Sequence, residues 1–172
     1  MFRRLMFMVV VIGFMVLGGG PMACALSYNA SPSLPTGLYW RVDREIARGS
    51  IVAACLPTEL ADIGLQRGYL GRGRCEGEAQ AVGKRVAAVG GDLVEVVEMG
   101  VVVNGELLSA SRPLTRDSGR RPMPVLPRRR YRMGSGQLWL IGDDPRSWDS
   151  RYFGPVSRSS VVAVVVPIWT WK

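Results

Sequence analysis

Apolar and polar positions divide the chain into two unlike parts. From Leu5 to Leu26 no residue is charged, about twenty positions, which is long enough to cross a bilayer as a helix. Beyond it the apolar residues come in short runs, rich in Val, Leu, Ile and aromatic side chains and closed off by Gly, Pro, Asn and Ser, the pattern of strands separated by turns. The runs 37–42, 50–54, 81–89, 93–99, 101–108, 137–141 and 160–166 are read as strands. Gly90-Gly91 and Asn104-Gly105 punctuate the middle three. One stretch, 58–66, has a helical look, with Thr58 as candidate N-cap and Gly68 as its stop. Segment 27–36 reads as an extended loop, and 109–136, rich in Arg and Pro, as a long loop or flap. The expected fold class is mainly β, with antiparallel strands in two packed sheets or a partly closed barrel, one short helix, and an N-terminal transmembrane helix.

The domain boundaries follow from the same pattern: 1–26 is a membrane anchor or signal segment, and 27–172 a single folded domain. Arg3 and Arg4 precede the apolar stretch, and positive charge stays on the cytoplasmic side, so the folded domain is expected in the periplasm, held to the inner membrane by one span. Gly18, Gly19, Gly20 and Pro21 weaken the second half of the span, so a cleaved signal peptide is the competing interpretation. Pro21-Met22-Ala23-Cys24 resembles a lipoprotein processing site, but Pro21 stands where such sites carry a small aliphatic residue. An uncleaved anchor is favoured.

Charge and cysteine content refine this picture. The formal charge of +8 comes from scattered arginines, whose tightest cluster, 128–132, follows Pro127 in the long loop. No nucleic-acid-binding motif accompanies it, so no nucleic-acid partner is expected; proximity to anionic lipid accounts for the charge. Three cysteines fit an exported domain with one disulfide, Cys55 to Cys75, and a spare thiol at Cys24 near the membrane. Without histidine or a CxxC pair, neither a metal site nor any other cofactor is expected.

Two features of composition narrow the chemistry. The chain has no histidine, which removes Ser-His-Asp and Cys-His catalysis. Arginine outnumbers lysine twenty to two, and Lys84 is the only lysine away from the C-terminus. Arginine does not lose its proton in a protein, whereas a buried lysine does, so Lys84 is the one basic side chain able to act as a general base.

Three segments carry candidate chemistry. In Ser31-Pro32-Ser33-Leu34-Pro35-Thr36-Gly37 a serine is fixed between two prolines, a rigid presentation that suits a nucleophile; standing alone, the segment reads more plainly as a linker. In Gly83-Lys84-Arg85-Val86-Ala87-Ala88-Val89-Gly90-Gly91-Asp92 the lysine lies near the start of an apolar strand, either splayed to solvent or buried with a lowered pKa. In Gly142-Asp143-Asp144-Pro145-Arg146-Ser147-Trp148-Asp149-Ser150-Arg151 a turn dense in charge and hydroxyls follows an apolar strand. Such turns are commonly surface loops, but here they hold groups able to orient a base.

Taken in order, these segments resemble the three boxes of the signal peptidase I family, and more closely the TraF-type conjugative transfer peptidases, whose serine box is similar to Asn29-x-Ser31-Pro-Ser33-x-Pro-x-Gly-x-Tyr39. Paired cysteines around Arg67-Gly68-Tyr69-Leu70 add to the likeness. The resemblance implies that Ser33 attacks, that Lys84 takes its proton and that Ser147 holds the lysine amine. It also implies that the Ser31 hydroxyl and the Ser33 N–H receive the oxyanion, and that Asp149 and Arg151 pair behind the site, with Asp143 beside them. Leu34 and Asp144-Pro145 depart from the general signal peptidase pattern at positions tied to substrate selection.

The implied activity is cleavage of exported precursor proteins near the membrane, after small residues, through an acyl-enzyme on Ser33, with a pilin-like precursor as substrate. Two other readings compete. A self-cleaving Ser/Lys repressor would be cytosolic with a DNA-binding domain, against which the apolar N-terminus argues. A non-catalytic periplasmic β scaffold of the conjugation machinery would need no working serine.

Overall fold

The structure, a computed structural model, describes residues 25–171 with the exception of Val125. Eleven strands form two antiparallel sheets. The larger takes the order β1 (Leu26–Asn29), β2 (Thr36–Val42), β11 (Val161–Trp171), β3 (Ile51–Ala54), β4 (Val82–Ala88), β9 (Gln137–Ile141) and β10 (Val156–Ser157). The smaller takes the order β7 (Glu106–Leu107), β6 (Gly100–Val103), β5 (Leu93–Val97) and β8 (Arg130–Arg132). Helix α1 (Thr58–Gln66) sits between β3 and β4, and a single turn, α2 (Ser150–Phe153), follows β9.

The elements depart from the sequence reading at their ends and in the loops. Segment 27–36 is not wholly a loop: β1 occupies its start and pairs with β2, Asn29 opposite Gly37. Because β1 begins at Leu26, the expected span 1–26 overlaps the folded domain by one residue, and residues 1–24 of it lie outside the described residues. Among the described residues no helix is long and apolar enough to cross a membrane. β11 runs on to Trp171 rather than ending at Val166, with a register shift between Pro167 and Trp169. Proline cannot donate to the ladder, so the strand continues by bulging around it. The 101–108 run divides at Asn104-Gly105 into β6 and β7, and the flap carries β8. A second helix, α2, corrects the expectation of one. Thr58 is the first helical residue rather than the cap, which falls on Pro57, and Gly68, at φ +72°, takes the left-handed conformation that ends the helix.

Two apolar clusters lie on either side of the central strands. One, with Val52, Val82, Val86, Leu138, Leu140, Trp148 and Tyr152, is covered by α1. The other, with Val94, Val96, Val101, Val103, Trp139 and Ile141, fills the space beneath the smaller sheet. Each buried side chain of this size contributes roughly 1.5–3 kcal/mol. The disulfide Cys55–Cys75 closes the α1 lobe. In β4 burial alternates strictly, with Val82, Lys84, Val86 and Ala88 on the interior face. The period of two therefore settles which way Lys84 points: inward, among valines.

Candidate active site

The chain between β1 and β2 holds Ser33, and its shape comes from side chains, since Pro32 and Pro35 have no N–H to pair. The Asn29 carboxamide donates to the carbonyls of Ser31 at 2.8 Å, Leu34 at 3.0 Å and Pro35 at 3.2 Å, and its oxygen accepts from the Ser31 N–H. The Tyr39 hydroxyl adds a 2.6 Å bond to the Pro35 carbonyl. On the opposite side the Asp143 N–H donates to the Ser33 carbonyl at 2.8 Å. Ser33 is buried and Ser31 exposed; the Ser33 N–H reaches the Ser31 Oγ at 3.3 Å.

The turn after β9 brings the third segment to the same place. Ser33 Oγ and Ser147 Oγ are 2.8 Å apart in a buried hydrogen bond. Gly142 makes this approach possible: a Cβ there would lie 2.1 Å from Ser147 Oγ and 3.2 Å from Ser33 Cβ. Beneath the turn, Asp149 and Arg151 are completely buried and joined through both carboxylate oxygens, at 2.9 and 2.7 Å. Arg151 also donates to the carbonyls of Ala110, Gly142 and Asp144, and Asp149 accepts from the Gly142 N–H. The pair thus ties the flap to the turn that carries Ser147. Asp143 is exposed and stands 3.8 Å from Arg85, a surface pair of small energetic weight.

Lys84 enters from β4. Its neighbour Arg85 is in register with Ile141, the residue before Gly142, and Gly83 packs against Leu34, the residue after Ser33. The side chain is 5 % exposed. Burial pushes its amine from 10.5 down to about 8; the Asp149 carboxylate opposes that shift and the Arg151 guanidinium adds to it. The Ser147 hydroxyl, which the resemblance assigns to holding the lysine amine, is hydrogen-bonded to Ser33. An open cleft of about 1030 Å³ runs alongside, lined by Pro32, Leu34, Leu108, Ile141, Asp143 and Trp171 among others. A buried serine, a buried low-pKa lysine and an adjoining cleft are the parts of acyl transfer without histidine.

Comparison with known proteins gives the family. The family model described as signal peptidase, peptidase S26, matches residues 1–171. The chain belongs to the signal peptidase S26 family. A plasmid transfer protein TraF of Escherichia coli is 37 % identical over 98 % of this chain and 97 % of its own length. A conjugal transfer protein TraF of Agrobacterium fabrum is 34 % identical over 94 % of this chain and 93 % of its own. A crystal structure of a signal peptidase I from Enterococcus faecalis covers 72 % of this chain and 98 % of that one, at 24 % identity and a TM-score of 0.42. Family and relatives together support a peptidase role in conjugation.

Two features of the site escaped the sequence reading although their residues stood in its motifs. Asn29 opens the serine box, and an Asn at the start of a Ser- and Pro-rich turn is an Asx-turn signal, its side-chain oxygen accepting from the backbone N–H two residues on. Gly142 opens the third box, and its need for hydrogen at Cα follows from a close approach that no local pattern reports.

Proposed function

We propose that this S26 peptidase is a Ser/Lys endopeptidase that processes an exported precursor at the membrane face, a pilin-like subunit of the conjugation apparatus. The observation that supports it best is the joint burial of Ser33 and Lys84 beside an open cleft, with the lysine amine shifted to about 8.

The chemistry runs in two halves. The neutral Lys84 amine takes the Ser33 proton as Oγ bonds to the scissile carbonyl carbon, and the carbonyl oxygen becomes an oxyanion. The Ser33 N–H and the Ser31 hydroxyl serve as its donors; the 3.3 Å contact between them is long enough to be given up readily. The tetrahedral species collapses, the C–N bond breaks, and the leaving amine takes the proton from the Lys84 ammonium. A water, or an amine of the substrate, then attacks the acyl-enzyme by the same proton route. Ser147 holds the Ser33 hydroxyl in place, while Asp149 and Arg151 fix the turn that carries Ser147.

An aromatic tip supports placement at the membrane. Tyr28, Trp169 and Trp171 are exposed, and neighbouring rings lie 6.4 and 6.1 Å apart. The tip adjoins β1, into which the uncharged N-terminal stretch leads, and aromatic side chains favour the headgroup layer. Trp171 also lines the cleft, so this orientation opens the cleft towards bilayer-held substrates.

The decisive experiment is mass spectrometry of the candidate pilin precursor co-produced with the wild-type chain or with Ser33→Ala. Processing with the wild type and none with the variant is expected. Equal processing by both would refute the nucleophile, and processing by neither would favour the non-catalytic scaffold.

A further inference from the structure

Between the two hydrogen-bonded strands β1 and β2, six residues turn the chain around, and two of them are prolines. Such a segment cannot hold a fixed shape through its own ladder, yet it must hold a hydroxyl within hydrogen-bond reach of a partner 114 positions away. The side chain around which it is wrapped is that of Asn29. One carboxamide meets three carbonyls and one N–H, and this set of partners fixes its orientation, since only the nitrogen end suits the three carbonyls.

We propose that Asn29 is a positioning residue for the reaction: its carboxamide templates the loop so that Ser33 Oγ, Ser33 N–H and the Ser31 hydroxyl converge on one substrate carbonyl. The inference rests on Ser33 being the nucleophile. Asn29 bonds the residues on either side of Ser33, at 31 and at 34 and 35, and leaves Ser33 to Asp143 and Ser147. Its grip therefore sets the angle at which the serine is presented without contacting the reacting atoms. It also seats the Ser31 backbone, from whose side chain one oxyanion donor comes. Asp at this position keeps the oxygen that accepts from the Ser31 N–H but turns a charged oxygen on the three carbonyls. Ala removes every contact.

Steady-state cleavage of purified pilin precursor by the full chain in detergent tests this, comparing wild type, Asn29→Asp, Asn29→Ala and Ser33→Ala. A displacement of the nucleophile by about 1 Å lowers kcat by roughly a hundredfold. Asn29→Asp and Asn29→Ala are expected to lose kcat on that scale, with KM within about threefold, since the cleft is unchanged. Loss of folded protein alone would lower the active fraction and leave kcat per folded molecule intact, so thermal melting of each variant accompanies the rates. A folded Asn29 variant with wild-type kcat overturns the proposal while leaving Ser33 as nucleophile; an active Ser33→Ala overturns both. If neither Asn29 variant folds, proton exchange of the Asn29 carboxamide in the wild-type chain decides. Exchange markedly slower than in a free amide supports the template, and free exchange overturns it.

Discussion

Replacing Lys84 by Met is expected to abolish activity and, at neutral pH, to stabilise the fold. The amine is 5 % exposed and its pKa drops from 10.5 to about 8 on burial. Below pH 8 it is protonated in both the folded and the unfolded chain, so the folded state carries the whole cost of burying the charge. At about 1.4 kcal/mol per tenfold change, that cost is about 3 kcal/mol. Between pH 8 and 10.5 the unfolded chain binds the proton and the folded chain does not, so wild-type stability rises with pH across that window. By pH 9.5 about 2 kcal/mol should have been recovered. Met, close to lysine in length and without charge, escapes the cost at every pH. Urea unfolding of the full chain in mild detergent, followed by tryptophan fluorescence, measures both proteins, and their difference removes the titration of all other groups. Lys84→Met should be more stable by about 3 kcal/mol at pH 6 and by about 1 kcal/mol at pH 9.5. A difference that does not change with pH would show that the lysine is not held in a depressed state, and the general-base assignment would fall with it.

The remaining expectations address the same site from other sides. Cleavage by the wild type should rise tenfold per pH unit up to about pH 8 and then level off, because the base works only when neutral; a rate flat from pH 6 to 9 would contradict this. Gly142→Ala should lower kcat by about a hundredfold with little effect on KM, since its Cβ would fall 2.1 Å from Ser147 Oγ; kinetics of folded variant protein checks it. Asp149→Ala leaves Arg151 buried without its carboxylate and should cost about 3–5 kcal/mol in urea unfolding. Reduction of Cys55–Cys75 should cost on the order of 3 kcal/mol, read as a lower denaturation midpoint with dithiothreitol present.

What could be read from the sequence was what local pattern controls. An apolar run closed by Gly90-Gly91 located β4, and the alternation of its faces turns Lys84 inward, although the run itself left open whether the amine would reach solvent. Gly68 ended α1 because a left-handed residue is a local requirement. The serine box was visible because two prolines restrict backbone whatever surrounds them. β1 was hidden because Leu26–Asn29 is a strand only by virtue of pairing with β2. β8 was hidden for the same reason, three arginine-rich residues made into a strand by β5. The hydrogen bond between Ser147 and Ser33 was not legible because residue order carries no distances. That contact depends on Gly142 leaving room, and on a buried ion pair that sets the height of the whole turn.

That ion pair also explains how two buried cations can lie near one another with opposite fates. A carboxylate bonded to Lys84 would hold its proton and remove it as a base. Asp149 is the nearby candidate for that part, and its charge does raise the lysine pKa. Arg151 engages both carboxylate oxygens through its planar fork, and its own positive charge works against the field of Asp149 at the lysine. Desolvation is then left as the leading influence on Lys84, and it drives the amine towards the neutral form. A lysine at position 151 could not do this: it has no fork to occupy both oxygens while also reaching the carbonyls of Ala110 and Asp144. The guanidinium stays charged so that the amine need not.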